Sequence, residues 1–277
     1  MATVKKTEKK TRPFLKWAGG KYRLVDEIKG RLSQGKRFVE PFVGAGSVFL
    51  NSDFDEYLLN DINPDLINMY NMVKATPEKF IKDAKIYFQA KYNNEESYYK
   101  FREQFNKTEN KHKRAVIFLY MNRYGYNGLC RYNKSGCFNV PFGRYKETYF
   151  PEKEILFFSE KAQKATFTCT SYQKVFEQLN SDDVVYCDPP YVPLSKSARF
   201  TAYSIGGFSD EAQADLAKAC ETAPCPILIS NHNTELTRTL YEKAQCDFLS
   251  VRRSISSKTS KREKAAEILA LFNGSVN

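Results

Sequence analysis

The sequence predicts an α/β fold: a doubly wound sheet built from both ends of the chain and interrupted by a mostly helical insertion. Three observations carry this. Near the N-terminus, short apolar runs at 38–42 and 57–61 end in a glycine turn and an acid respectively. After residue 165 similar runs resume with helical patterns between them, as parallel strands joined by crossover helices require. Between the two groups, residues 64–149 read mainly as helix with polar breaks.

Taken in order, 38–42 is a first strand leading into Gly44-Ala45-Gly46, with Ser47 starting a helix, and 57–61 is a second strand. Asn63-Pro64-Asp65 supplies a helix N-cap, a proline at the first helical position and an acid in the first turn. Thr76-Pro77-Glu78 restarts a helix, and breaks fall at Asn93-Asn94 and at 108–111. Strands follow at 165–169, 184–187, 226–230, 248–251 and 268–272, with Ser209-Asp210-Glu211 opening a helix between two of them. The expected organisation is a disordered basic tail at 1–11, one domain from 12–63 and 150–277, and an inserted helical domain at 64–149.

Composition narrows the function. At 277 residues, 42% hydrophobic and 27% charged, the chain is in the ordinary globular range, which excludes collagen, coiled coil and wholesale disorder. No apolar run reaches membrane-span length, so no membrane partner is expected, and the lysine-rich start lacks the apolar core of a secretory signal. A cytoplasmic protein is expected. Seven cysteines without a CxxC pair read as free thiols, and two histidines leave no room for a His-rich metal site or an HExxH helix. No metal is expected, and a Ser-His-Asp triad has almost no candidates.

The formal net charge is +11, and its distribution matters more than its sum. The first twelve residues carry +4 and residues 252–264 carry +5, while residues 120–146 carry +5 without a single acid. This last segment interleaves Arg123, Arg131, Lys134, Arg144 and Lys146 with Tyr124, Tyr126, Tyr132, Phe138 and Tyr145, and with Asn122, Asn127, Asn133 and Asn139. Arginine reaches guanine edges and phosphates, asparagine suits adenine, and aromatic rings stack on or wedge between bases. A solvated basic loop is the alternative reading.

Three further motifs could carry chemistry. Gly44-Ala45-Gly46 after a strand lets the backbone turn tightly and a ligand approach, and Asp61 at the end of the next strand is placed to accept from a ribose diol. The full GxGxxG and the P-loop pattern are both absent, so an adenosyl cofactor without a pyrophosphate fits better than NAD or a nucleoside triphosphate. A plain tight turn remains open. In Asp188-Pro189-Pro190-Tyr191, two prolines stiffen the turn, so that Asp188 and the Pro189 carbonyl can accept both hydrogens of an exocyclic amine while Tyr191 stacks on a planar base. An ordinary strand-ending turn would look the same. Phe14-Leu15-Lys16-Trp17-Ala18-Gly19-Gly20-Lys21 reads equally as an anchored tail or as a loop over a ligand.

Together, FLKWAGGK at 14–21, FVGAGSVFL at 42–50, NRYGYNGLCRYN at 122–133, FNVPFGRY at 138–145, DPPY at 188–191 and VRRSISS at 251–257 resemble the Dam-type DNA adenine-N6 methyltransferases, α group. The resemblance covers about 12–272. It implies a Rossmann-like, S-adenosylmethionine-dependent methyltransferase fold with an inserted helical DNA-recognition domain. The implied activity is methyl transfer to N6 of adenine in duplex GATC by base flipping, with S-adenosylhomocysteine as product. It further implies that Trp17, Lys21, Phe42, Gly44, Gly46, Asp61 and Asp188 contact the cofactor, and that Asp188, Pro189 and Tyr191 hold the target base. Lys16, Leu129, Arg131, Pro141 and Tyr145 match base-reading positions, Tyr126 an intercalating one, and Asn127 lies beside it. Arg102, Arg123, Asn133, Asn139 and Arg144 match phosphate contacts. Methyltransferases acting on RNA, on cytosine N4 or on a protein amide would share the fold, and a DNA-binding module that has lost its chemistry is a further alternative.

Overall fold

A computed structural model of the chain describes residues 10–192, 208–252 and 264–274. Its sheet contains β1 (Arg37–Glu40), β2 (Glu56–Asn60), β3 (Ala165–Thr168), β4 (Asp183–Cys187), β5 (Ile227–His232), β6 (Gln245–Arg252) and β7 (Lys264–Phe272), in the order β3-β2-β1-β4-β5-β7-β6. The first five strands run parallel, whereas β7 is antiparallel to both β5 and β6. Strand β4 is apolar along nearly its whole length because it lies mid-sheet and is buried on both faces. The order reverses between β1 and β4, so the crevice past their C-terminal ends is where a ligand site belongs.

Side chains alternate between two cores. Phe38, Tyr57, Leu59, Val184 and Tyr186 face one, while Val39, Leu58, Val185, Cys187 and Ile229 face the other. The second core is closed by α8 (Tyr172–Phe176), α9 (Asp210–Thr222) and Tyr241, which follows α10 (Glu235–Leu240). The first takes α1 (Val25–Lys29), α2 (Ser47–Asn51), α3 (Pro64–Ala75), α4 (Pro77–Tyr87), α5 (Glu95–Lys107), α6 (Lys111–Tyr124) and α7 (Glu152–Ala162).

The expected helix starts are physically realised. The Asn63 side chain accepts from the Asp65 and Leu66 amides at 3.0 and 3.2 Å with Pro64 at the first position. Ser209 caps α9 in the same way, and the breaks expected at Asn93-Asn94 and 108–111 hold caps of their own, Asn94 for α5 and Asn110 for α6.

Two boundaries differ. Helix α3 packs on α7 and β3, and the Tyr70 hydroxyl donates to the Gly44 carbonyl at 2.5 Å, so the segment after residue 63 begins by covering the sheet. Helices α4 to α6 continue that same core. Antiparallel β6 and β7 also extend beyond their apolar centres, because cross-strand hydrogen bonds carry the ribbon through polar residues that no hydrophobic pattern marks. Helix α6 is buried on almost every side, and among the described residues no helix is long and apolar enough to cross a membrane.

Residues 1–9 of the basic tail, and most of the basic 252–264 cluster with its VRRSISS motif, lie outside the described residues. The end of the tail is fixed. Lys10 pairs with Asp26 at 2.8 Å, and Thr11 exchanges two hydrogen bonds with the Asn51 side chain at 2.8 and 2.9 Å.

Candidate active site and nucleic-acid interface

At the crevice between β1 and β4, the turn after β1 holds Gly44 at φ +47° and Gly46 at φ +70°, a left-handed region that a side chain would strain. At Gly44 there is a second reason, because an added Cβ would lie 3.0 Å from the Trp17 indole nitrogen. Trp17 therefore lies directly over the glycine turn. Asp61, following β2, accepts from the Gly44 amide at 3.1 Å and the Asn63 amide at 2.9 Å. Burial raises its pKa, and the two amide donors act in the opposite sense. Phe42 packs across the turn against Tyr172 and Phe208, with ring centroids 5.6 and 6.0 Å away.

Asp188 emerges from β4 beside this turn. Its Oδ1 accepts from Lys21 Nζ and from Ser230 Oγ, both at 2.9 Å, and among the described residues Oδ2 has no protein partner. Lys21 is itself buried, donates to the Gly19 carbonyl at 2.6 Å and lies 4.6 Å above the centre of the Tyr191 ring. Tyr191 donates to Glu267 at 3.1 Å and meets the His232 ring edge-on at 4.8 Å. Burial pushes its phenol pKa well up, with Asp188 adding to the shift, so it stays a neutral donor.

The proline turn is braced from behind. Gln213 donates to the Pro190 carbonyl at 2.7 Å, and buried Asn231 accepts from the Val192 amide at 3.0 Å while donating to Gln213 and Tyr241. His232 Nδ1 lies 2.8 Å from the Val192 carbonyl. Sequence reasoning missed these braces. The available signal was Ser230-Asn231-His232, three polar residues closing an apolar strand at the ligand edge of the sheet. Glu40, at the end of β1, was missed as well. It is buried and accepts from the Phe49 amide at 3.2 Å, and burial raises its pKa well above the usual carboxylate range.

Residues 14–21 join this site to the basic segment. Asn122 clamps the Lys16 backbone with two hydrogen bonds of 2.9 and 2.6 Å, while Lys16 Nζ donates to the Arg123 carbonyl at 3.1 Å and lies 3.8 Å from the Tyr145 ring centre. Gly128, at φ +63°, admits this strand, since a Cβ there would fall 2.3 Å from Lys16 Cβ. The Tyr145 hydroxyl in turn accepts from the Asn127 amide at 2.8 Å.

Beyond α6 the chain doubles back through bridges at Gly125–Phe142 and Tyr132–Phe138, which present Tyr126, 47% exposed, with Asn127, Arg131 and Pro141 at the surface. Leu129 is half-buried at their base. Arg131 Nε and NH2 donate to the Asn139 side-chain and backbone oxygens at 2.7 and 3.2 Å. This fixes the guanidinium plane and leaves NH1 without a protein partner among the described residues.

All five of the expected phosphate contacts also have partners within the protein. The Asn133 carboxamide oxygen accepts from the Ser135 amide and hydroxyl and from the Cys137 amide, closing a tight turn. Asn139 braces Arg131, and Arg123 donates to the Phe14 and Tyr149 carbonyls at 3.4 and 3.0 Å. The cause for Arg123 is burial, which also lowers its pKa. Arg144 is exposed beside Glu95, and Arg102 lies over Tyr99 while donating to the Val140 carbonyl.

A hydrogen-bond chain anchors the segment to the cofactor side. Asn63 Nδ2 donates to Cys130 Sγ at 3.2 Å, and Tyr132 donates to Asp65 at 2.6 Å. Asp65 also receives two donors from Arg114, NH2 at 3.0 Å and Nε closer still.

The sequence matches the family described as D12 class N6 adenine-specific DNA methyltransferase over residues 17–256. The DNA adenine methylase of Escherichia coli K12 is 55% identical over 271 residues, spanning 97% of this chain and 98% of that protein. That of Vibrio cholerae O395 is 54% identical over 268 residues, spanning 95% and 97%, and that of Salmonella typhi is 54% identical over 271 residues, spanning 97% and 98%. With the glycine turn, the Asp-Pro-Pro-Tyr turn and the basic segment held in one assembly, the chain belongs to the D12 class of N6 adenine-specific DNA methyltransferases.

Proposed function

We propose that this chain methylates adenine N6 within duplex 5′-GATC-3′, using S-adenosylmethionine, after the adenine has been rotated out of the helix into the 188–191 turn. The observation that carries this reading is Asp188, with one carboxylate oxygen held by two donors and the other open. A cytoplasmic, nucleoid-associated site of action and a monomeric enzyme follow from the same reading.

The residues suit an adenosyl cofactor. The glycine turn under Trp17 offers close backbone approach, Phe42 adds apolar surface, and Asp61 presents a carboxylate for ribose hydroxyls. When bound, the cofactor supplies an electrophilic sulfonium methyl.

Asp188 and the Pro189 carbonyl accept the two N6 hydrogens, which favours a pyramidal nitrogen and frees a lone pair otherwise delocalised into the ring. Tyr191 stacks on the extruded base and offsets part of an unstacking cost of roughly a few kcal/mol. As N6 gains its methyl it sheds a proton, for which Asp188 Oδ2 is the adjacent acceptor. Positioning and electrostatics do the work, with no covalent enzyme intermediate.

On the DNA side, Tyr126 is exposed for insertion between bases, Lys16, Leu129, Arg131, Pro141 and Tyr145 read base edges, and Arg102 and Arg144 meet phosphates. Methylating a plasmid and digesting it with GATC nucleases of differing methyl sensitivity tests the reading. Protection confined to the adenine-methyl-sensitive nuclease is expected, and methylation outside GATC would overturn the sequence assignment.

Two predictions arise from this surface. Arg131→Ala should lose about 1–3 kcal/mol of discrimination at one base pair. Asn139→Ala should lose part of the same discrimination through its grip on Arg131, as measured by competition between cognate and single-mismatch duplexes. Equal weakening on all sequences would instead mark either residue as a phosphate contact.

The second concerns pH. Burial, aided by Arg123, lowers the Lys16 pKa to about 8. Because the folded value lies below that of an unfolded lysine, the charged form is penalised below pH 8, and this cost to stability fades as pH rises. DNA affinity should run the other way. Lys16 loses its proton between about pH 7 and 9, so the dissociation constant should increase over that range, and Lys16→Met should flatten the dependence in a fluorescence titration.

A further inference from the structure

We infer that Ser230, backed by the Tyr186 hydroxyl, is a positioning residue that sets the rotamer of the Asp188 carboxylate so that Oδ2 faces the substrate amine. The inference rests on the reading of Asp188 as the N6 acceptor. Ser230 lies on β5, next to β4, and is 0% exposed. Its Oγ is 2.9 Å from Asp188 Oδ1, 2.9 Å from Tyr186 Oη and 3.4 Å from the Cys187 carbonyl oxygen.

A serine hydroxyl has one hydrogen to give, and the neighbouring charge decides where it goes. Directed at Tyr186, it would leave an oxygen lone pair facing a carboxylate oxygen. Directed at Asp188, it makes a charge-assisted bond and leaves Ser230 to accept from Tyr186. Tyr186 can serve as that donor because burial keeps its phenol protonated. The result is a one-way chain from Tyr186 through Ser230 to Asp188, run across two adjacent strands of the sheet.

Lys21 is the second donor to Oδ1, but it arrives from the N-terminal segment at the end of a four-carbon stem and shares its ammonium with the Gly19 carbonyl. It supplies charge without a rigid direction. Ser230, with its short side chain on a buried strand, supplies the direction. A carboxylate free to rotate would share both oxygens between Lys21 and the amine, and misplacement of this kind is costly to a reaction that relies on alignment.

The test uses the full-length enzyme with cofactor and a GATC duplex, in single turnover. Ser230→Ala should slow methyl transfer on the order of tenfold to a hundredfold, with dissociation constants for cofactor and DNA within about threefold of the parent and a melting temperature lowered by only a few degrees, through loss of the acceptor for the buried Tyr186 phenol. Tyr186→Phe should slow transfer less, again without a change in binding. Ser230→Thr, which restores the hydroxyl, should recover most of the rate. Wild-type rate in Ser230→Ala overturns the inference, as does a loss of binding or folding that accounts for the whole defect. Asp188→Ala is measured alongside. If it remains active, the reading of Asp188 itself fails, whereas an inactive Asp188→Ala with a fully active Ser230→Ala refutes only the positioning role.

Discussion

Asp188→Ala should abolish methyl transfer while the protein still folds and still binds DNA. The carboxylate lies at the mouth of the crevice, and its Oδ1 donors, Lys21 and Ser230, each have a second acceptor inside the protein, the Gly19 and Cys187 carbonyls. Each donor keeps one acceptor when the carboxylate is removed, although the buried Lys21 ammonium loses its counter-charge and some stability goes with it. What disappears is the acceptor for the N6 hydrogens and the negative charge beside a nitrogen that turns cationic as it is alkylated. Loss of one preorganised group of this kind costs on the order of a thousandfold in rate. Single-turnover kinetics with radiolabelled cofactor, paired with gel-shift titration, separates the two effects, and near-parental methylation would refute the assignment. Asp188→Asn keeps the shape but turns one oxygen into a donor, so it should retain little more activity than the alanine variant.

Asp65→Ala should be the most damaging change outside the chemistry. Asp65 is buried in the first turn of α3 and gathers two donors from Arg114 and one from Tyr132. Removing it leaves a half-buried guanidinium and a buried phenol without their acceptor, a situation that costs roughly 3–5 kcal/mol. Arg114→Met together with Asp65→Leu should be far milder, because no charge is then stranded. Chemical denaturation would show the difference as a large drop in midpoint for the single variant and a small one for the double. Since Tyr132 adjoins Arg131, the single variant should also relax sequence discrimination before it unfolds.

Legibility from sequence followed local physics. The strands at 38–42, 57–61 and 184–187 could be read because central parallel strands are apolar, the edge strand at 165–169 because its threonines and phenylalanine favour extended chain, and the helix starts because Asn63 and Ser209 act within one turn of chain. The glycine turn, Asp61 and the Asp-Pro-Pro-Tyr turn were visible for the same reason: each is a short motif at the end of a strand. What escaped notice was set by partners remote in sequence. Ser230 matters only because β5 pairs with β4, and nothing local shows that Asn139 receives the Arg131 guanidinium. Arg123 counted toward a basic surface, although α6 turns it inward toward Phe14.

Residues 14–21 supply Lys16 to the DNA-facing segment and Lys21 to the reaction centre, and their partners lie far down the chain at Asn122 and Asp188, with Glu267 beyond them on Tyr191. A ribosome adding about 5–20 residues per second needs roughly ten to fifty seconds to pass from Lys21 to Glu267. Through that interval the strap meets its partners in turn, Asn122 first and Asp188 later, with Glu267 arriving last. Chains stalled before β7 should therefore lack a finished reaction centre, and the newborn enzyme stays silent until nearly its last strand is in place.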